Sequence, residues 1–585
     1  MSSTSRRNAD RASTATWRPD AGRVPDYPCS VGDDIGPTFD LLILGGTVID
    51  GSGAEGFAAD VAIVGDRLRI LPRPAQEDAE PGRDALAGSG GADSAAAEAS
   101  VPPKRVIDAH GLVVAPGFID LHSHSGLMIL ADPRHEPKLR QGVTTELIGV
   151  DGNSYAPFPR REDLLAMVEL NAGLDGDPPI AYDWDSVAGH LGRLDRSVAV
   201  NVACLVGNSA LRASVAGWDD RPAKGGEIAS MRSMLREAME EGAFGLSSGL
   251  DYPPGSYADT AELAELSEEA ARGDGIYHTH VRYQLGDRYL DPFREAIEIG
   301  RRAGAPAHIT HFYHRATYPG GPEPMLALLE SARAEGLDVT FDSYPYEWSS
   351  SRLLIELPGW VQSGGPAALK RRLADAESRR RLAGEIGERW ASAGLDVPAD
   401  IRLGNFRKAE HRRWEGRTLA DVARELSADP VEAMLELLAA DGLHVNEVRS
   451  GPAAASLPAF IAHPLGMVGT DSVFVGEYPS PRTYGSYPRI LGEFVRDRKL
   501  LSLPEAIRKM TSAPAARLGI RDRGLLRDGF FADVVVFDPR RIRSLATYEE
   551  PRRFPEGIDY VMVNGQLVVD GRRHTGALPG RALRH

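Results

Sequence analysis

The sequence predicts an α/β protein: a (β/α)8 barrel carrying a small β-sandwich built from both chain ends. Three observations lead there. Eight short apolar runs recur through the middle of the 585-residue chain, and amphipathic helical stretches fall between most of them. Residues 39–74 and 521–585 share a different texture, of short β-branched runs cut by glycine. A single core rarely grows past about 250–300 residues, so a chain of this length needs two or more units.

Taken in order, residues 1–38 have no apolar period and read as a disordered tail. Residues 39–110 supply the first part of the sandwich, through DLLILGGTVIDGSG, DVAIVG and RLRILP. Within them, 75–104 is rich in Ala, Gly and Glu and reads as a surface insertion in a hairpin. The barrel is expected over 111–520. Its strand candidates are GFIDLHSH, TTELIGVD, VNVACLVG, GAFGLSSGL, GIYHTH, AHITHF, DVTFDSYPY and GMVGTDS. AELAELSEEAARG and DPFREAIEIGRRAG have the 3.6-residue spacing of the intervening helices. Between strands seven and eight, residues 349–460 hold helical runs of their own (PAALKRRLADAESRRRLAGEI, DPVEAMLELLAADG). So long an interval reads as a lid over the site. Residues 521–585 complete the sandwich, with Asn564-Gly565 as a hairpin turn.

Composition removes several function classes. There are 83 acidic and 67 basic side chains, a net charge of −16, which opposes general nucleic-acid binding. No apolar run approaches the ~20 residues of a membrane helix. The polar N-terminus has no apolar segment behind Arg6-Arg7, so no export signal is expected. Two cysteines, Cys29 and Cys204, exclude a disulfide scaffold and a thiolate-rich metal cluster. The expectation is a cytoplasmic protein with a small-molecule substrate and neither nucleic-acid nor membrane partners. Self-association is left open.

Barrel enzymes carry their chemistry at the C-terminal ends of the strands. Here strand one ends in His122-Ser123-His124, and residues two apart share a strand face. Strand two ends in Asp151, strand five in His278-Thr279-His280, strand six in His311 and strand eight in Asp471. Any one of these alone reads as a packed histidine or a turn aspartate. Imidazoles and carboxylates arriving together from five strand ends are a ligand set for Zn²⁺ or another divalent ion, with one or two ions bound.

The motifs PGFIDLHSH, QGVTTELIG, EGAFGLSSGLDYPPGSYADTAEL, YHTHVR, AHITHF, DSYPY and TYGSYPRILGEFVR resemble those of N-acyl-D-amino-acid deacylases. So does the tail RDRGLLRDGFFADVVVFDP. These enzymes form the D-aminoacylase branch of the amidohydrolase superfamily, and the resemblance runs from about residue 39 to the C-terminus. It implies a metal-dependent amidohydrolase barrel and hydrolysis of an amide C–N bond. His280 and His311 then bind the principal ion, with Asp151 as third ligand, and His122 and His124 serve a second position. Asp471 is implied as metal contact and as general base and acid. Tyr252, with Tyr344 or Tyr346, matches tyrosines near the substrate, and Arg482 or Arg282 is a candidate clamp for a substrate carboxylate.

Four positions depart from the family pattern. Asp151 stands where the family has a cysteine, a harder ligand in place of a thiolate. Asn208 replaces a strand-three histidine. Tyr313, followed by His314, replaces a strand-six lysine that helps position the substrate's carboxylate. His278 is an addition. Strand four, GAFGLSSGL, has no lysine, which argues against the carbamylated-lysine bridge of dihydroorotase and hydantoinase enzymes. These departures keep other readings open: opening of a cyclic amide, cleavage of a carbamoyl or D-dipeptide bond, or a non-catalytic relative that binds a ligand.

Overall fold

The computed structural model describes residues 39–73, 102–283 and 288–585. The expected tail at 1–38, its Cys29 and nearly all of the 75–104 insertion lie outside the described residues.

Eight parallel strands build the barrel. They are Phe118–Asp120, Val143–Ile148, Asn201–Cys204 continued by Val206–Gly207, Gly245–Gly249, Ile276–His280, Ala307–Ile309, Val339–Ser343 and Gly466–Val468. Strands one to three pair in sequence, as do strands three to eight. The ring closes between strands eight and one just above their ends, where Ser123 bridges Ser472 and Asp471 N–H donates to the His122 carbonyl at 2.9 Å. Every residue of strands two, four, five and seven is buried. That is why they read as continuous runs and not as alternating ones.

The helices between them have readable ends. Thr260–Arg272 starts at Asp259, whose carboxylate accepts the Glu262 N–H at 2.9 Å. Asp291–Ala303 has Pro292 in its first turn and stops at Gly304, in the left-handed region at φ 62°.

Both chain ends enter one ten-stranded sheet system. Its central join is Val534–Phe537 running antiparallel to Val113–Pro116. Strand Val113–Pro116 therefore belongs to the sandwich, and the barrel begins two residues later at Phe118. The Asn564-Gly565 turn links Ile558–Val563 to Gln566–Asp570, with φ of 48° and 79°. Both central residues at positive φ is the geometry of a type I′ hairpin.

Between strands seven and eight, three antiparallel strands carry a helical unit with a core of its own: Trp348–Arg352, Arg402–Gly404 and Asn446–Ser450. Leu353, Leu369, Leu382, Met434 and Leu438 are among its buried side chains. The single helical run read over PAALKRRLADAESRRRLAGEI is two helices, Gly365–Ala374 and Ala376–Ser392. Asp375 leaves the first and caps the second by accepting the Ser378 N–H.

Candidate metal centre

The loops above the strand ends set each candidate ligand. His122 and His124 stand two and four residues beyond strand one. His280 is the last residue of strand five. Asp151, His311 and Asp471 sit three, two and three residues beyond their strands, all at positive φ (52°, 32° and 48°). Non-glycine residues take that conformation only when the surroundings impose it, and such positions cluster at functional sites. For Asp151 the constraint is visible. The turn packs onto strand four so closely that a Cβ on Gly249 would lie 1.9 Å from the Asp151 carbonyl. Ser247 Oγ donates to the Gly149 carbonyl at 2.5 Å and accepts the Gly152 N–H at 3.1 Å.

The six side chains converge as two ligand groups that share Asp151: His122, His124, Asp151 and Asp471, and Asp151, His280 and His311. All six are buried. In the first group, His122 Nε2 is 3.3 Å from Asp151 Oδ2 and 3.5 Å from Asp471 Oδ1. His124 Nε2 is 3.6 Å and 3.3 Å from the same two atoms. In the second group, Asp151 Oδ2 is 3.4 Å from His280 Nδ1 and 3.6 Å from His311 Nε2. Ligands at about 2.0–2.1 Å around a tetrahedral ion stand about 3.3–3.4 Å apart. The observed separations match that spacing.

The hydrogen bonding supports the same fit. His280 Nε2 bonds Asp251 at 3.1 Å, and His311 Nδ1 bonds the Tyr283 hydroxyl at 3.0 Å. Their inner nitrogens, His280 Nδ1 and His311 Nε2, stand 2.9 Å apart and both face Asp151 Oδ2. With the outer nitrogens carrying the protons, both inner atoms can turn a lone pair to a shared cation. His122, meanwhile, is completely buried with no hydrogen bond at either nitrogen. These residues fit a divalent ion at each group.

Electrostatics agree. Burial alone would lower the His122 pKa, but Asp151, Asp471 and Asp342 outweigh it and hold the imidazole at about 10. His280 is likewise raised to about 9 against its burial, chiefly by Asp151 and Asp251. Burial would raise the Asp471 pKa, yet Arg482, whose Nη2 lies 2.8 Å from Asp471 Oδ2, keeps it at about 2. The pocket is thus a region of negative potential lined with neutral-capable donors, as cation binding requires.

Each candidate imidazole also has a partner behind it. His124 Nδ1 bonds Asp175 at 2.7 Å, and the Tyr155 hydroxyl donates to the other Asp175 oxygen at 2.6 Å. His122 Nδ1 lies 3.5 Å from Asp342 Oδ2, while Asp342 Oδ1 accepts the His311 N–H at 2.8 Å. Tyr283 donates to the His311 carbonyl at 3.0 Å while engaging its ring. Such partners fix tautomer and ring orientation. Sequence reasoning passed over Asp175, Asp251, Asp342, Tyr155 and Tyr283. Asp251 and Asp342 lie inside motifs already singled out, GLDYPP and DSYPY, whereas Asp175 in GLDGD has no local signal.

The other expected residues fall around this centre. Tyr252 packs on the His280 ring at 4.8 Å, with its hydroxyl 3.1 Å from Ser351 Oγ of the unit inserted between strands seven and eight. The Arg482 guanidinium, fully buried, lies 4.4 Å over the Tyr344 ring. The Tyr344 hydroxyl and Arg482 Nε and Nη1 have no hydrogen-bond partner. Tyr346 turns away, its hydroxyl 2.8 Å from Ser544. Arg282 spends its guanidinium on Glu295 and on the Ser256 and Ala258 carbonyls, at 2.6–3.4 Å. That leaves Arg482 as the guanidinium beside the ligands.

Among the departures, Asn208 opens a helix and donates to the Gly255 carbonyl at 3.0 Å. Tyr313 stacks on Tyr283 at 5.8 Å. His278 shares the inward face of strand five with His280 but lies a layer deeper. There it bonds the Leu121 carbonyl at 3.1 Å and stacks on His308 at 5.1 Å. Gly245–Gly249, strand four, has no lysine to offer the ligands. The shared position between the two ligand groups belongs to the Asp151 carboxylate.

Comparison with known proteins bears on the same region. The Amidohydrolase family model matches residues 105–569. The chain is 35% identical over 549 residues to a D-aminoacylase of Alcaligenes xylosoxydans xylosoxydans, covering 93% of this chain and 97% of that one. It is 33% identical to an N-acyl-D-glutamate deacylase of the same organism, covering 93% and 96%. A crystal structure of N-acyl-D-glutamate deacylase from Bordetella bronchiseptica, complexed with zinc and a phosphonate inhibitor that mimics the tetrahedral intermediate, superposes with a TM-score of 0.75. That match has 29% identity and covers 94% of this chain and all of that one. Fold, ligand geometry and sequence converge: the chain belongs to the D-aminoacylase branch of the amidohydrolase family, metal-dependent enzymes built on a barrel with an appended β-sandwich.

Proposed function

We propose that the protein hydrolyses the amide bond of N-acyl-D-amino acids. The observation that carries this reading is the pair of ligand groups hinged on Asp151, with Asp471 and Arg482 on one flank. His280, His311 and Asp151 would hold the principal ion, and His122 and His124, with the Asp151 and Asp471 carboxylates, the second. Zinc suits this nitrogen and oxygen donor set. A bound divalent ion supplies polarisation of the scissile carbonyl and acidification of water.

The chain's own groups account for the remaining steps. Asp471 takes the proton of the attacking water as general base. It then gives a proton to the departing nitrogen, which is too basic to leave as an anion. Arg482 holds one Asp471 oxygen and directs the other toward His122 and His124. Its Nε and Nη1, with the Tyr344 hydroxyl, are buried donors without protein partners, suited to the substrate's α-carboxylate. Tyr252, packed on His280, lines the same space.

The test is turnover of N-acetyl-D-amino acids by zinc-loaded protein, against the L-enantiomers and cyclic amides. D-selective release of acetate, abolished by a chelator and restored by zinc, is the expected result. Hydrolysis confined to cyclic amides, or none at all with zinc bound, overturns the reading.

A further inference from the structure

Strand six delivers a second cation near the centre. Arg315 lies four residues beyond His311. Its guanidinium lies over the Tyr283 ring at 4.9 Å and the Tyr313 ring at 5.7 Å. One N–H, at Nη2, reaches the Tyr313 hydroxyl at 3.4 Å. Nε is buried and has no hydrogen-bond partner. Among the described residues, Arg315 forms no ion pair with a carboxylate, although Arg212, Arg449 and Arg523 are each matched by Glu262, Glu356 and Asp533. A guanidinium stacked against aromatic rings, with its Nε withdrawn from water and no counter-ion among the described residues, carries an electrostatic cost that a bound anion removes.

The position of this cation relative to the metal ligands is informative. The Tyr283 hydroxyl touches both the ring and the carbonyl of His311, so Arg315 is one phenol ring removed from a ligand. Tyr313 packs on Tyr344 at 6.0 Å, and Tyr344 underlies Arg482. An aromatic belt thus runs from strand six to the loop after strand eight, with a guanidinium at each end. The α-carboxylate of an N-acyl amino acid is two bonds from the scissile nitrogen and must stay near Asp471, at the Arg482 end. A carboxylate on the side chain projects further along the belt.

We propose that Arg315, steadied by Tyr283 and Tyr313, is the side-chain subsite, and that the preferred substrates are N-acyl derivatives of acidic D-amino acids. The inference rests on the deacylase reading above. It also accounts for Tyr313 in place of a lysine: the positive charge stands two residues further on and serves a different carboxylate.

The experiment compares kcat/KM for N-acetyl-D-glutamate and N-acetyl-D-leucine in zinc-loaded wild type, Arg315→Met and Arg315→Lys. Wild type should favour the glutamate compound. Arg315→Met should lower the glutamate-to-leucine ratio by about tenfold or more, mainly through KM for glutamate, and Arg315→Lys should recover part of it. An unchanged ratio in Arg315→Met, or a wild type that prefers leucine, overturns the subsite while leaving the deacylase reading intact. If the Met variant unfolds, the Lys variant and the wild-type preference still decide. Failure of wild type on both compounds overturns the deacylase reading and the subsite together.

Discussion

At the scale of single residues, the account divides labour between groups that meet the ion and groups that hold them. Asp471 is asked to move protons, so Asp471→Asn should keep its principal-site metal while turnover falls about a hundred- to ten-thousandfold. Steady-state rates alongside elemental analysis check both halves, and near-normal turnover would remove Asp471 from the role. Asp175 is asked only to aim His124. Asp175→Asn should therefore weaken the ion held by His122 and His124 by about 10–100-fold, with little effect at His280 and His311. Zinc titration resolving two affinities measures it, and an equal loss at both sites would make Asp175 a general structural residue. Cys204 is buried, and burial raises its thiol pKa to about 12. Alkylation of the Cys204 peptide at pH 8 should accordingly be negligible in native protein and rapid in urea.

At the scale of elements, the site depends on backbone turns as much as on side chains. The Asp151 turn is pinned between Gly249 of strand four and Ser247 Oγ. Gly249→Ala puts a methyl into the Asp151 carbonyl. It should cost about 1–3 kcal/mol of stability and, by displacing the shared carboxylate, lower zinc affinity at both positions. Thermal melts with and without zinc read both effects; a variant with wild-type metal affinity would contradict the pinning. The strands themselves were legible because each is a short apolar run, and five of the eight end in or lead to a candidate ligand. The unit between strands seven and eight was legible only as a long interval, since its helices pack on one another and carry no repeat of the barrel's pattern. The split at Asp375 was missed because an apolar period continues across it, and the cap that breaks the run is a single side chain.

At the scale of the whole molecule, both ends of the chain meet in one sheet system, and ligands from five strands, up to 349 residues apart by the Ser123–Ser472 closure, share one pocket. The sequence made the ligand types visible, because imidazoles two apart on a strand and acids at strand ends are unusual in combination. It left open which atoms face inward, because that is decided by Asp175, Asp251, Asp342 and Tyr283, whose only signal is where the fold puts them. It also could not separate Arg482 from Arg282, since the distinction is that Glu295 and two carbonyls consume the second guanidinium. The convergence on a divalent ion makes a global prediction as well: removing metal should lower the melting temperature, and zinc at about a hundred times its dissociation constant should restore about 2.7 kcal/mol. The most direct measurement is anomalous scattering at the zinc edge from crystals of the loaded protein. The account predicts a peak bonded to Asp151, His280 and His311, and a second, at higher zinc, bonded to His122 and His124. A zinc ion bound elsewhere, with Asp151 contacting none, would contradict it.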